Sequence, residues 1–162
     1  MNTTELESFL INNKDTTKLD LRNKEITDEI ALIIAKHLKD YKQLETLCLN
    51  NNNIGNKGIK TILESIVSSS FKNLYLDENC IGNEGIKYIG NFMIKYKKIV
   101  ELSLFYQQIE EDLFNIDGAI VLAAAIKVNP KLEVLNLAGY GIGNDESDTI
   151  IKAINYTQSV KS

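Results

Sequence analysis

Leu44-Glu-Thr-Leu-Cys-Leu-Asn-Asn-Asn-Asn-Ile-Gly-Asn-Lys-Gly58 decides how the chain is read, because the rest of the sequence restates it. At a step of 27 residues, Leu74, Leu76, Asn79, Ile81, Gly82 and Gly85 take the places of Leu47, Leu49, Asn52, Ile54, Gly55 and Gly58. At 28 residues back, Leu19, Leu21 and Ile26 hold the apolar places. Leu102, Leu104 and Ile109 follow the third copy at a step of 28, and Leu135, Leu137, Ile142 and Gly143 come after a further 33. Five copies at one period define an internal repeat, whose units cannot bury an apolar face alone and must stack.

Inside each unit the hydrophobic period changes from two to 3.6. The leucine pairs alternate as the inward face of a strand does. After a turn, the apolar sets Ala31, Ile34, Ala35, Leu38, then Ile59, Ile62, Leu63, Ile66, then Ile86, Ile89, Met93, then Ala119, Leu122, Ala123, Ile126, and finally Ile150, Ile151, Ile154 each form one stripe of an amphipathic helix. Ser68-Ser69-Ser70 and Asn129-Pro130 stop the second and fourth of these helices. Residues 1–15 lie outside the repeat. Thr4-Glu-Leu-Glu7 reads as a capping box ahead of Leu6, Phe9 and Leu10, so a short helix is expected to cover the open first unit. The repeats run from about 16 to 156, the last helix from about Asp145 to Tyr156, and 157–162 form a tail.

Gly58, Gly85 and Gly118 precede the first apolar helix position, where a bare backbone allows a tight turn and close approach; Ile30 and Glu146 hold that place in the outer repeats. Asn52 and Asn79 follow the strands by three residues, where an amide can bond to free backbone groups. Lys24, Gln107 and Tyr140 stand there in the other repeats, so this amide bonding is expected to be continuous only in the middle.

The pattern Leu-x-x-Leu-x-Leu-x-x-Asn-x-Ile-Gly-x-x-Gly resembles the leucine-rich repeat family, and the step near 28 is similar to its ribonuclease-inhibitor-like subfamily. The resemblance implies a single domain, a right-handed α/β solenoid shaped as a horseshoe, with parallel strands on the concave face and helices on the convex one. It also implies a buried asparagine ladder.

Composition fits a globular chain, with 44% hydrophobic and 25% charged residues. A net charge of -4 argues against a nucleic-acid binder, which needs a concentrated basic face. The longest apolar run, Ala119 to Ile126, is too short to cross a bilayer, and Met-Asn-Thr-Thr-Glu has neither the basic start nor the apolar stretch of a secretory signal. Cys48 and Cys80 occupy different places in successive repeats, so no disulfide is expected and the compartment reads as reducing and cytoplasmic.

No catalytic constellation emerges. Gly139-Tyr-Gly-Ile-Gly143 opens a helix but lacks the third glycine of a dinucleotide loop, and Asp145 and Glu146 would repel pyrophosphate. His37 aligns with Ser65, Phe92, Ala125 and Ala153, which marks a packed helix position. One histidine and two separated cysteines assemble neither a zinc site nor a thiol-imidazole pair, and Glu110, Glu111, Asp112 and Asp117 lack calcium-loop spacing. No metal or cofactor is expected. Arg22 is the only arginine. Some repeat proteins that resemble this chain, the Ran GTPase-activating proteins, stimulate a small GTPase, and an arginine finger would serve that chemistry. An ion pair with Asp20 explains Arg22 as well.

Strand alternation sends the residues between the leucines to the concave side. The rows there are Lys18, Thr46, Asn73, Glu101, Val134; then Asp20, Cys48, Tyr75, Ser103, Asn136; then Arg22, Asn50, Asp77, Phe105, Ala138; and Asn23, Asn51, Glu78, Tyr106, Gly139 at the strand ends. Tyr75, Phe105 and Tyr106 are expected to form one aromatic patch ringed by Asp77, Glu78 and Glu101, which is the make-up of a protein-binding hot spot. Repeat four carries an acidic insert, Glu110 to Asn115, expected to overhang the patch. The competing reading folds Phe105 and Tyr106 down under Leu113 or Phe114. The expected function is a non-catalytic protein-binding module, either a cytoplasmic regulator or an effector delivered into a host cell. It is expected to act as a monomer on a protein partner with a basic patch, binding neither nucleic acid nor membrane.

Overall fold

The leucines of the five repeats stand in one column. In the computed structural model, which describes residues 2–161 and side chains as far as Gln158, Leu19, Leu47, Leu74, Leu102 and Leu135 are direct partners across a five-stranded parallel sheet ordered β1-β2-β3-β4-β5. The strands are Lys18–Asp20, Thr46–Cys48, Asn73–Tyr75, Glu101–Ser103 and Val134–Asn136. The helices are α1 Thr3–Asn12, α2 Asp28–Leu38, α3 Asn56–Ser65, α4 Asn83–Tyr96, α5 Ile116–Val128 and α6 Asn144–Lys161. Each of α2 to α5 returns the chain to the next parallel strand, and α6 follows the last one, which puts the helices on the convex face.

Leu19, Leu21, Leu47, Leu49, Leu74, Leu76, Leu102 and Leu104 are at most 1% exposed. Burying one leucine is worth about 1.5–3 kcal/mol, so stacking of the repeats supplies most of the favourable term. Leu135 and Leu137 are only half-buried, because no repeat follows them among the described residues.

Several expectations need correction. The amino-terminal capping box is Asn2 with Glu5, not Thr4 with Glu7: Asn2 Oδ1 accepts from the Glu5 amide at 2.9 Å, and Glu5 Oε2 accepts from the Asn2 amide at 3.0 Å. Asparagine caps as well as threonine does, and the earlier box starts α1 two residues sooner. The last helix continues through the expected tail to Lys161, and Ser162 lies outside the described residues. In that helix Ile151 is 51% exposed, and the fully buried position belongs to Ala153.

The polar ladder is longer than expected. Asn52 Oδ1 accepts from the amides of Lys24 and Ile26, and Asn79 Oδ1 from that of Ile54. Gln107 continues the series: its Oε1 accepts from the Ile81 amide at 3.1 Å, and its Nε2 donates to the carbonyls of Leu76 and Leu104. Glutamine carries the same amide on a longer stem, so it reaches the same backbone groups. Tyr140 ends the series by donating its hydroxyl to the Ile81 carbonyl, and burial pushes its pKa up.

A second ladder joins the helix starts. Gly55 and Gly82 are N-cap residues without a side chain to cap with. The missing acceptor comes from the preceding repeat: Asp28 Oδ1 takes the Gly55 amide at 2.7 Å, and Asn56 Oδ1 takes the amides of Gly82 and Gly85 at 2.8 and 2.9 Å. Asn83 Oδ1 accepts from the Asn115 amide at 3.2 Å. The glycines make room for these side chains. A Cβ would lie 2.4 Å from Asp28 Oδ1 at Gly58, 2.6 Å from Asn56 Oδ1 at Gly85 and 2.2 Å from Asn83 Oδ1 at Gly118. The irregular ends then make sense: Ile30 has no preceding repeat, and Glu146 follows a repeat whose equivalent residue is the apolar Ile116.

Candidate functional site

The strand ends turn through one backbone conformation. Asn23, Asn51, Glu78 and Tyr106 are left-handed, with φ of 57, 55, 54 and 49°, and Gly139 has φ of 73°. Asparagine and glycine tolerate this readily, whereas a glutamate or a tyrosine costs roughly 1 kcal/mol or more. At Tyr106 the strained turn is held by its backbone N–H, which donates a hydrogen bond to the Ala138 carbonyl at 2.9 Å, and the ring lies beside Gly139, where a Cβ would sit 3.3 Å from it.

Phe105 and Tyr106 point outward, 41% and 52% exposed, with ring centroids 6.2 Å apart. They form the centre of the candidate surface. Val134, 43% exposed, heads the concave row of β5 on the neighbouring strand. Tyr75 does not join them as expected. Its hydroxyl donates to Glu101 Oε2, a bond that pushes its pKa up to about 12 with burial adding to the effect, and its neighbours in register, Cys48 and Ser103, are buried.

Asp77 is a positioning residue in this arrangement. Its Oδ1 accepts from the Phe105 amide at 2.8 Å and from the Ser103 hydroxyl, and its Oδ2 accepts from Asn50 Nδ2 at 2.7 Å. One carboxylate thus ties repeats two, three and four and fixes the backbone that carries Phe105. Glu101 is likewise engaged by Tyr75, which leaves Glu78 as the acidic side chain that faces solvent without a side-chain partner among the described residues. Arg22 forms a two-pronged pair with Asp20, Nε to Oδ1 at 2.9 Å and Nη2 to Oδ2 at 2.7 Å. That bond holds the Asp20 carboxyl below the usual carboxylate range. At 52% and 42% side-chain exposure such a pair contributes little to stability.

The acidic insert docks elsewhere than over the aromatic pair. Asp112 Oδ2 accepts from the Glu84 amide at 2.9 Å and from Asn56 Nδ2 at 2.8 Å, and its carbonyl accepts from the Asn83 amide at 2.8 Å. A carboxylate at the start of α4 sits at the positive end of the helix dipole, which draws the insert back towards repeats two and three. The competing reading laid Leu113 or Phe114 on Phe105 and Tyr106; Phe114 is instead buried against Tyr140, ring centroids 5.4 Å apart. Glu110 and Glu111 remain exposed on that rim.

His37 is packed between α1 and α2, with 12% of its side chain exposed and Nε2 3.7 Å from Glu7 Oε1. Cys48 and Cys80 are free. Among the described residues no cluster of ligating side chains could hold a metal, and no helix is long and apolar enough to cross a membrane. A second exposed apolar stripe escaped the sequence reading: Ile116, Ile120 and Val128 on the outer face of α5, 40, 55 and 37% exposed. The signal was there, since α5 is apolar all round.

The leucine-rich repeat family model matches residues 43–63 and 67–90, the second and third repeats described above. The chain folds as a leucine-rich repeat solenoid. Among solved structures of this fold, leiomodin-1 actin-binding site 2 superposes with a TM-score of 0.76 at 18% identity, over 99% of this chain and 92% of that one. The tropomodulin C-terminal domain of Caenorhabditis elegans superposes at 0.73 and 16% identity, over 98% and 95%. No curated protein sequence matches the solenoid.

Proposed function

We propose that this solenoid is a non-catalytic protein-binding module, acting as a monomer, whose partner docks on the carboxy-terminal half of the concave face. The observation that carries the reading is the Phe105–Tyr106 pair, two exposed rings 6.2 Å apart on a backbone fixed by Asp77 and by a left-handed turn. Rigid aromatic area presented at low entropic cost is what interface anchors consist of. Glu78 beside the pair and Glu110 and Glu111 on the rim favour a partner with a basic patch. Tyr75, Asp77 and Glu101 shape the surface rather than make its central contact.

The repeat length of 27–28 is in keeping with the ribonuclease-inhibitor-like subfamily. The free thiols accord with a reducing cytosol, the cell's own or a host's. Arg22 favours a structural role over GTPase activation, because its guanidinium is already engaged by Asp20. Leiomodin-1 supplies an actin-binding example of the fold, so actin is one defined protein to try.

The test is affinity capture from cytosol with wild type and a Phe105→Ala, Tyr106→Ala variant, beside co-sedimentation with actin filaments. Loss of two hot-spot rings should reduce recovery by about tenfold or more while the melting temperature stays within about 2 °C. A Leu32→Ala control, on the convex face, should recover the same proteins as wild type. Equal recovery by the double variant would remove the aromatic pair from the function.

A further inference from the structure

The outer row of α5 is apolar where repeats two, three and five carry polar side chains. Counted from the repeat glycines, Ile120 and Ala124 align with Lys60 and Glu64, with Lys87 and Asn91, and with Asp148 and Lys152. Ile116, Ile120, Ala124 and Val128 recur every four residues and are all exposed, so they share one solvent-facing side of the helix. Isoleucine and valine form helices less readily than lysine, glutamate or alanine, so nothing local to α5 favours them in water. Beside this row a groove of about 380 Å³ runs between α5 and α6, lined by Ile120, Ala123, Ala124, Lys127, Thr149 and Lys152.

The groove is charged differently at its two ends. Asp117, Asp145 and Asp148 stand exposed where α5 and α6 begin, and the exposed Lys127 and Lys152 lie further along. Lys87 of α4, which feels Asp117, is held by Glu84 and does not neutralise the acidic end. Lys127 lies over the Tyr156 ring, Nζ 5.6 Å from its centroid, which keeps it at the other end. These charges complement the dipoles of α5 and α6, but the apolar row between them has no such account. The stack leaves this row open. Each repeat touches only its neighbours, α5 is already packed between α4 and α6, and a further repeat would add on the far side of α6. A second copy would meet it convex face against convex face, along one helix, short of the roughly 800 Å² per partner that a stable interface buries. A single helix reaches both walls of the groove.

We infer that the groove between α5 and α6 binds one amphipathic helix of a partner protein, lying antiparallel to α5. Its apolar residues recur at i, i+3, i+4 and i+7 and rest on Ile116, Ile120 and Val128, the mode in which a helix fills a groove. Its first turn is acidic and its last turn basic, so that the basic end meets Asp117 and Asp148 and the acidic end meets Lys127 and Lys152. The two helix dipoles then run in opposite directions. The site is on the convex side, so a partner on the concave face leaves it open.

The probe is an acetylated, amidated and fluorescently labelled peptide, Asp-Glu-Glu-Leu-Ala-Gln-Ile-Leu-Ala-Gln-Leu-Ala-Lys-Arg-Lys, titrated with the full chain. The expected result is saturable one-to-one binding, weakened about tenfold or more by Ile120→Asp and about fivefold by Lys127→Glu with Lys152→Glu. All three positions are exposed, so the melting temperature of each variant should stay within about 2 °C of wild type. A nitroxide on the last peptide residue should broaden the amide signal of Asp117 and spare that of Lys127. The Phe105→Ala, Tyr106→Ala chain should bind this peptide as wild type does, which separates this site from the surface proposed above. No saturation up to about 1 mM peptide, binding indifferent to Ile120→Asp or to the lysine reversals, or broadening centred on Lys127 would overturn the inference. So would sedimentation showing a dimer that Ile120→Asp dissolves, since a second copy would then be the occupant.

Discussion

Asn79→Ala is expected to lower the stability of the chain by about 3–4 kcal/mol and its melting temperature by roughly 10 °C. The side chain is fully buried, accepts from the Ile54 amide at 3.1 Å, and donates to the carbonyls of Leu49, Leu76 and Asp77 at 3.0, 3.0 and 3.2 Å. Alanine leaves these groups dry and unpaired across two repeats, and each such group costs about 1–3 kcal/mol, with partial relief from relaxation. The exposed Asn53, whose side chain makes no bond among the described residues, is the control, and Asn53→Ala should change stability by less than about 0.5 kcal/mol. Urea unfolding of the two variants checks the comparison. Equal, small losses would mean that the ladder does not hold the repeats together.

Gly118→Ala should destabilise by about 2 kcal/mol even though alanine favours a helix over glycine by up to about 1 kcal/mol. The added Cβ would meet Asn83 Oδ1 at 2.2 Å and drive it from the Asn115 amide. The diagnostic quantity is the coupling. Asn83→Ala alone should cost about 1 kcal/mol, and with Asn83 truncated the alanine at 118 regains its helical preference. The double variant is therefore expected near Asn83→Ala itself, a coupling of about 2 kcal/mol that restores stability. Additive losses would show that Gly118 is needed for its own backbone and not as a seat for the preceding repeat.

The sequence made the stack legible because burial imposes period two on five strands and 3.6 on the helices behind them, and because the whole unit recurs at a near-constant step. What escaped it lies between repeats. Asp28, Asn56 and Asn83 read as ordinary polar residues near a helix start, since nothing local to one repeat shows that their oxygens cap the next. The glycines read as permitting close approach, and the group that approaches is a side chain from the repeat before. Gln107 breaks the asparagine pattern by name, although its amide is the same chemical group and fills the same place in the ladder. At the candidate site, Phe105 and Tyr106 were legible from alternation. Tyr75 was not, because the expected aromatic cluster ignored the carboxylate of Glu101 on the adjacent strand, which binds its hydroxyl. The insert was misplaced for a similar reason: its acidity reads as a steering surface until Asp112 is seen capping α4.

Hydrogen-deuterium exchange on the chain bound to whichever protein the capture experiment recovers tests the concave-face assignment most directly. Partner contact should slow exchange at residues 101–108 and 133–139 and leave the outer face of α5, residues 116–128, unchanged. Protection confined to α5, with the amides around Phe105 and Tyr106 exchanging as in the free chain, would contradict it and move the interface to the convex apolar stripe.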